Sequence, residues 1–350
     1  MNSIERFLNT IERKPVDRPA CWLGMPDIRA QKALMEHFGV ESLHELKLSI
    51  GDDVYTVEVP YKSPNASAIY AAFDWYQDGD VDAQERTLTA PGFFKDYEEP
   101  EDADLFEWPD PAKYIDTEKC RRLVEDAPDD KVILGMMWSA HFQDTCAAFG
   151  METALMNMIA CPEIVEEVNE RIINFYLKAN EIFYEATKGK LHAVLIGNDV
   201  GSQRGLILSP ELIRRFVIPG CKKLVDQAHS YGLKVIYHSC GSITEVIPDL
   251  FEAGVDAIHP LQALAKNMQA DFIKENFGEL GSFCGGVDTQ DLLVNGSPET
   301  VKAKVQELRR LFPTGLIISP SHEAILPDIP PVNIRALFDA ATEACDMQEV

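Results

Sequence analysis

The chain has 350 residues, 46% of them apolar and 25% charged, which is enough material for a large buried core. A formal net charge of −25 excludes a nucleic-acid binder, which needs clustered Lys and Arg against phosphate. It also disfavours a strongly anionic substrate outside a local basic pocket.

The first residues, MNSIERFLNTIERKPVDRP, hold charges throughout and lack the apolar stretch of a secretory leader. No apolar run is long enough to span a bilayer. The eight cysteines are scattered without a short-spaced framework, so a reducing, cytoplasmic setting is expected.

In chain order, strand-like apolar runs fall at residues 19–23, 54–59, 132–136, 193–196, 233–237, 257–259, 282–285 and 316–319. Helical periodicity lies between most of the later ones. Residues 210–231 form one such segment, with Ser209 placed to cap its start, and 243–253 and 298–311 are others. Strands alternating with helices imply parallel pairing with both faces covered, and eight strands close a barrel. The expectation is therefore an α/β fold, a single (β/α)₈ TIM-barrel domain over 1–350, with an open doubly wound sheet as the alternative. Between Val59 and Lys131 the pattern weakens. DWYQDGD and TAPGFF suggest a hairpin-bearing insertion in the N-terminal third, and YEEPEDADLFEWPDP suggests a solvated acidic loop.

Ligand-capable side chains recur where four of these strands end. The run VIYHSCGSI carries His238 and Cys240 out of an apolar strand, and Gly241 permits a sharp turn. Two residues apart at a strand end, an imidazole and a thiol can face one point and suit zinc, given a third ligand from elsewhere. A buried Cys beside a hydrogen-bonded His explains the same pair without a metal. His322, in ISPSHEAILPDIPP, is the first choice for third ligand, and Cys284, in SFCGGVDTQD, is the alternative. Cys284 can equally be a small core hydrophobe.

Asp199 follows the strand at 193–196 and is the candidate catalytic carboxylate, as general base or as the partner that orients a ligand imidazole. Asn198, Gln203, Arg204, Gln262, Asp288, Gln290 and Trp138 are candidate substrate contacts near the same strand ends. Ordinary roles compete for several: a helix-capping or loop carboxylate for Asp199, a tight turn at the glycines before Asp288, core packing for Trp138 and His141, a structural place for His259.

Four stretches together carry a family resemblance: IGNDVGSQRGLILSPELIRRF, KVIYHSCGSITEVIPDLFEAGVDAIHPLQ, FCGGVDTQDLL and ISPSHEAILPDIPPVNI. The chain resembles the uroporphyrinogen decarboxylase superfamily over essentially its whole length. The resemblance implies a (β/α)₈ barrel with its site at the strand C-termini. True decarboxylases carry an arginine-rich N-terminal segment reading like R-Q-A-G-R, where this chain has CWLGMPDIRAQ without that pair of arginines. The other branch holds zinc-dependent methyltransferases that work with corrinoid proteins. Its signature is H-x-C followed downstream by a Cys in a segment like S-P-G-C-G. His238-Ser239-Cys240 matches the first part; Ser319-Pro320-Ser321-His322 puts His where that branch has Cys.

The resemblance thus implies a zinc-dependent methyltransferase moving a methyl group between a small substrate, a methyl ether first among candidates, and a corrinoid carried on a separate protein. A decarboxylase of uroporphyrinogen or a related tetrapyrrole acid is the runner-up. A non-catalytic metal- or tetrapyrrole-binding module is a third reading.

Overall fold

The computed structural model describes residues 1–60 and 92–344. Its framework is a curled, all-parallel sheet of seven strands paired in chain order. They are β1 (Val54–Glu58), β2 (Val132–Trp138), β3 (Ala193–Gly197), β4 (Lys234–His238), β5 (Ala257–Leu261), β6 (Ser282–Val287) and β7 (Leu316–Pro320). The central strands are buried on both faces, which is why their sequences read as continuous apolar runs and not as alternation.

Successive side chains still point to opposite sides. On β2, Val132, Leu134 and Met136 point to an inner cluster that also holds Trp22, Leu195, Ile236, Cys284 and Ile317. Ile133 and Met137 point to the larger outer cluster beneath the helices. Helix α1 (Ser3–Ile11) sends Phe7 and Ile11 into the inner cluster and so plugs it from one end.

Both edges of the sheet meet the same extended segment, residues 20–22. The Trp22 amide donates to Ile318 O (3.0 Å) and the Ile318 amide to Ala20 O (2.9 Å) on the β7 side, while the Asp53 amide donates to Cys21 O (3.1 Å) beside β1. The strand expected at 19–23 is therefore extended, yet it forms only an isolated bridge between Cys21 and Ile318. The reason is local: the Cys21 and Leu23 amides donate to the carboxylates of Asp53 (3.0 Å) and Asp52 (3.1 Å), not to strand carbonyls.

Helices α2 (Ile28–Phe38) and α3 (Leu43–Ile50) precede β1, and among the described residues after it α4 (Thr117–Glu125) leads to β2. The hairpin expected around residues 74–80 lies outside the described residues. The stretch expected as a solvated loop is instead built: 3₁₀ turns at Pro100–Leu105 and Pro111–Lys113 bury Ala103 and Phe106. Phe94 stacks on Tyr97 at 4.7 Å, and Asp104 and Asp110 reach Arg171 (2.7 Å) and Lys178 (2.8 Å) on a long helix behind. Aromatics spaced among the acids drive the packing, while the acids themselves face water or those cations.

That long helix is α7 (Pro162–Ala186), preceded by α5 (His141–Phe149) and α6 (Met151–Ala160). The single helix expected over 210–231 is two, α8 (Pro210–Phe216) and α9 (Ile218–Ser230). Pro219 lacks the N–H that would bond back one turn, so the helix breaks at Val217. Ser209 does cap the first of them, accepting the Leu212 amide at 3.4 Å. The helix expected over 243–253 is only α10 (Ile247–Glu252), and α11 (Ala270–Phe277), α12 (Leu292–Asn295), α13 (Pro298–Leu311) and α14 (Pro331–Thr342) follow. Among the described residues no helix is long and apolar enough to cross a membrane.

Candidate metal centre

β4 delivers His238 to the end of the sheet, almost fully buried, and the chain then turns through Ser239 and Cys240 to Gly241 at φ +85°. A Cβ at Gly241 would lie 2.5 Å from the Gly201 backbone, so only glycine lets the loops after β3 and β4 pack this closely. Three bonds hold the β4 loop. The Cys240 amide donates to Asp199 Oδ1 at 2.8 Å, the Gly241 amide to Gln262 Oε1, and the Val200 amide to Ser239 Oγ at 3.1 Å.

Three donors of different chemistry converge on one face. His238 Nε2 lies 3.5 Å from Cys240 Sγ and 3.3 Å from Asp199 Oδ1. The ligand atoms of Asp199, His238 and Cys240 all fall within 4.8 Å of one another. Zinc bonds of about 2.0–2.3 Å at a tetrahedral angle would separate neighbouring ligands by roughly 3.3–3.8 Å. The observed spacing fits such a cation. His322, on the loop after β7, stands beside them with its ring centroid 6.3 Å from that of His238, outside the convergent donor group. Its Nδ1 accepts the Ala324 amide at 3.0 Å, which leaves Nε2 for a second partner.

The other nitrogen of His238 faces a different set. Nδ1 lies 2.9 Å from His259 Nδ1 and 3.5 Å from Glu323 Oε2, and that same carboxylate oxygen is 3.5 Å from His322 Nδ1. Glu323 Oε2 is buried and has no hydrogen-bond partner, as is His259 Nε2. An orphaned carboxylate oxygen between two imidazoles suits a site built around positive charge.

Burial pushes the Cys240 thiol up, but hydrogen bonds with His238 and His322 outweigh it, so the thiol falls below its ordinary range. Burial works against the His238 imidazolium, yet Asp199, Cys240 and Glu323 raise it to about 10. Burial likewise raises Asp199, and the His238 bond more than reverses it. Burial, and then the neighbouring His238 and His322 rings, push the His259 imidazole well below its ordinary range. The centre is thus a thiol and an imidazole that shift each other's titration, flanked by carboxylates.

Of the residues singled out in the sequence, Asp199, His238, Cys240 and His322 come together here. Trp138 packs edge-on against His238, ring centroids 5.3 Å apart, in a left-handed backbone at φ +59°. Gln262 positions the β4 loop. The others have different work. Asn198 Oδ1 accepts the Phe142 amide at 2.9 Å and anchors α5. Asp288 accepts the amides of Gln290, Asp291 and Leu292, so its carboxylate caps a turn. Gln290 is exposed, as are Gln203 and Arg204 at the tip of a small hairpin, Gly201–Ser202 with Gly205–Leu206. Cys284 points into the inner cluster, where burial pushes its thiol up, and no convergent donor group among the described residues includes it. Sequence reasoning missed Glu323 and treated His259 as structural. For Glu323 the available signal was a carboxylate directly after His322 at a strand end.

Beside Trp138 opens a cavity of about 860 Å³. Its described lining includes Gly24, Met25, Thr56, Glu58, Met136 and Trp138. It adjoins the centre a second way: the Met25 amide donates to Glu323 O at 2.6 Å, and a Cβ at Gly24 would lie 2.3 Å from that oxygen.

A curled parallel sheet wrapped in helices, with sulfur, nitrogen and oxygen donors gathered where its strands end, defines an α/β protein of barrel-like architecture. The family model for uroporphyrinogen decarboxylase (URO-D) matches residues 80–344, and the chain belongs to that family. A methylated-thiol–coenzyme M methyltransferase of Methanosarcina mazei is 28% identical over 124 residues, 34% of this chain and 31% of that one. The chain therefore matches about a third of that relative's length. A solved methyltransferase structure from Methanosarcina mazei superposes with a TM-score of 0.67 over 97% of this chain and 98% of that one, at 19% identity, a likeness of fold.

Proposed function

We propose that this protein is a zinc-dependent methyltransferase that moves a methyl group between a small substrate and a corrinoid cofactor carried by a separate protein. In this reading the whole chain is one (β/α)₈ barrel, with residues 20–22 as its eighth stave. The observation that carries it is the convergence of Cys240 Sγ and Asp199 Oδ1 on His238 Nε2. The methyltransferase relatives in the same family support the choice of chemistry.

His238 and Cys240 would hold the ion, with Asp199 and His322 as the remaining donors. Bound zinc supplies Lewis acidity that favours a thiolate or an oxygen leaving group. The chain's residues prepare the rest. His259 and Glu323 fix the orientation of the His238 ring through Nδ1, so that Nε2 presents a lone pair. His238 and His322 stabilise Cys240 as the thiolate, the form that ligates. Trp138 closes one side of the His238 ring against water and walls the adjoining cavity, where the substrate would sit.

The cavity does not favour a tetrapyrrole-acid decarboxylase. Such a substrate needs guanidinium or ammonium partners for its carboxylates. The described lining offers Glu58 and a Lys47 whose ammonium is spent on Asp52 (3.4 Å) and Val54 O (3.3 Å).

Elemental analysis of protein purified without added metal tests the reading. We expect zinc at about one per chain, lost in Cys240→Ser together with methyl transfer to a corrinoid protein. Full transfer activity in a metal-free preparation would refute it.

A further inference from the structure

The described lining of the cavity beside Trp138 contains one charged group without a protein partner. β1 sends Val54 into the inner cluster, and two residues on Thr56 Oγ1 accepts the Trp22 indole N–H at 3.3 Å on the same face. Strand alternation puts Glu58 next on that face, at the open end of the sheet. The strand end is fixed by the Val59 amide donating to Met136 O at 3.2 Å.

In the described lining Lys47 pairs with Asp52, Gln31 Nε2 donates to Pro26 O at 2.8 Å and the His44 ring packs edge-on against Tyr55. Among the described residues Glu58 has neither hydrogen bond nor ion pair. Burial without a compensating partner holds its carboxyl above the usual range. Around it are Met25, Met136 and the Trp138 ring, surfaces that suit alkyl groups and a diffuse cation. Glu58 is exposed at the strand end, and an unpaired carboxylate there, in a chain of charge −25, repels an anion and draws a cation.

We propose that Glu58 is the specificity-determining residue of this cavity and selects a small substrate that carries a cationic nitrogen. This rests on the methyl-transfer reading of the adjoining centre for the cavity's role as the substrate site.

The test is calorimetric binding of choline and of its neutral isostere 3,3-dimethylbutan-1-ol to the full chain and to Glu58 variants. Wild type should bind choline about tenfold more tightly than the isostere, a preference that shrinks with added salt. Glu58→Gln should bring the two affinities together without moving the isostere's, and Glu58→Asp should keep the preference. Equal affinities in wild type, no binding of choline, or a preference that survives in Glu58→Gln would each overturn the assignment. Zinc content and methyl transfer, measured on the same preparations, fail or hold independently of this preference, so the two claims can fall separately.

Discussion

His238 spends both ring nitrogens on the centre, and the two sides differ in kind. Nε2 looks at the Cys240 sulfur and the Asp199 carboxylate, whereas Nδ1 looks at the His259 imidazole and the buried oxygen of Glu323. A ligating imidazole needs its far nitrogen held, because the proton there decides which lone pair is offered. Glu323 serves His238 and His322 at once, from the same oxygen. Replacing it with Gln keeps the shape and removes the charge. Zinc affinity measured against a competing chelator should then fall by about 10–100-fold, as for other partners of ligand histidines. An unchanged affinity would return Glu323 to a purely structural place.

At the scale of elements, α5 shows how burial writes opposite pH preferences into one helix. His141 is buried against Asn169 Oδ1 at 2.8 Å, and burial lowers its pKa from 6.5 to about 4. One turn on, Asp144 is buried against the Tyr176 hydroxyl of α7, and burial raises its pKa from 3.8 to about 7 against the pull of that bond. The signs follow by linkage. Neutral His141 favours the fold above 6.5 and loses that advantage as pH falls toward 4. Protonated Asp144 favours the fold fully below 3.8 and loses that advantage as pH rises through about 7. Asp144→Asn should therefore gain stability relative to wild type when urea unfolding is repeated at about pH 8 instead of about pH 5. Parallel pH profiles for the two proteins would show that Asp144 carries no such burden.

For the molecule as a whole, closure of the curled sheet depends on charge placed inside it. Asp53 is fully buried and takes Arg6 at 2.7 Å, Arg18 at 2.8 Å and the Cys21 amide at 3.0 Å. It thereby joins α1, the segment at 20–22 and the start of β1. Removing one member of a buried ion network leaves the others desolvated and unpaired, at a cost of about 3–5 kcal/mol. Asp53→Ala should lose about that much in urea unfolding. A loss below about 1 kcal/mol, the range of an exposed pair, would mean that the inner cluster closes the sheet without it.

The seven strands, the helix at 298–311 and the His238–Cys240 pair were legible in the sequence, because each depends on neighbours along the chain. A doubly covered strand must be apolar throughout, and a two-residue spacing at a strand end brings two side chains to one side. What the sequence left open was settled by contacts between distant residues. Cys284 and Phe283 differ only in strand parity, and register alone sends the first inward and the second outward. Asp288 and Asp199 look alike as acids after a strand, yet one folds back onto its own turn and the other reaches a ring brought by the next strand. Glu58 is one more charged residue near a strand end until the sheet curls and leaves it unpaired beside Trp138. Side-chain partners across the mouth of a closed sheet are set by curvature and stagger, which no local pattern encodes.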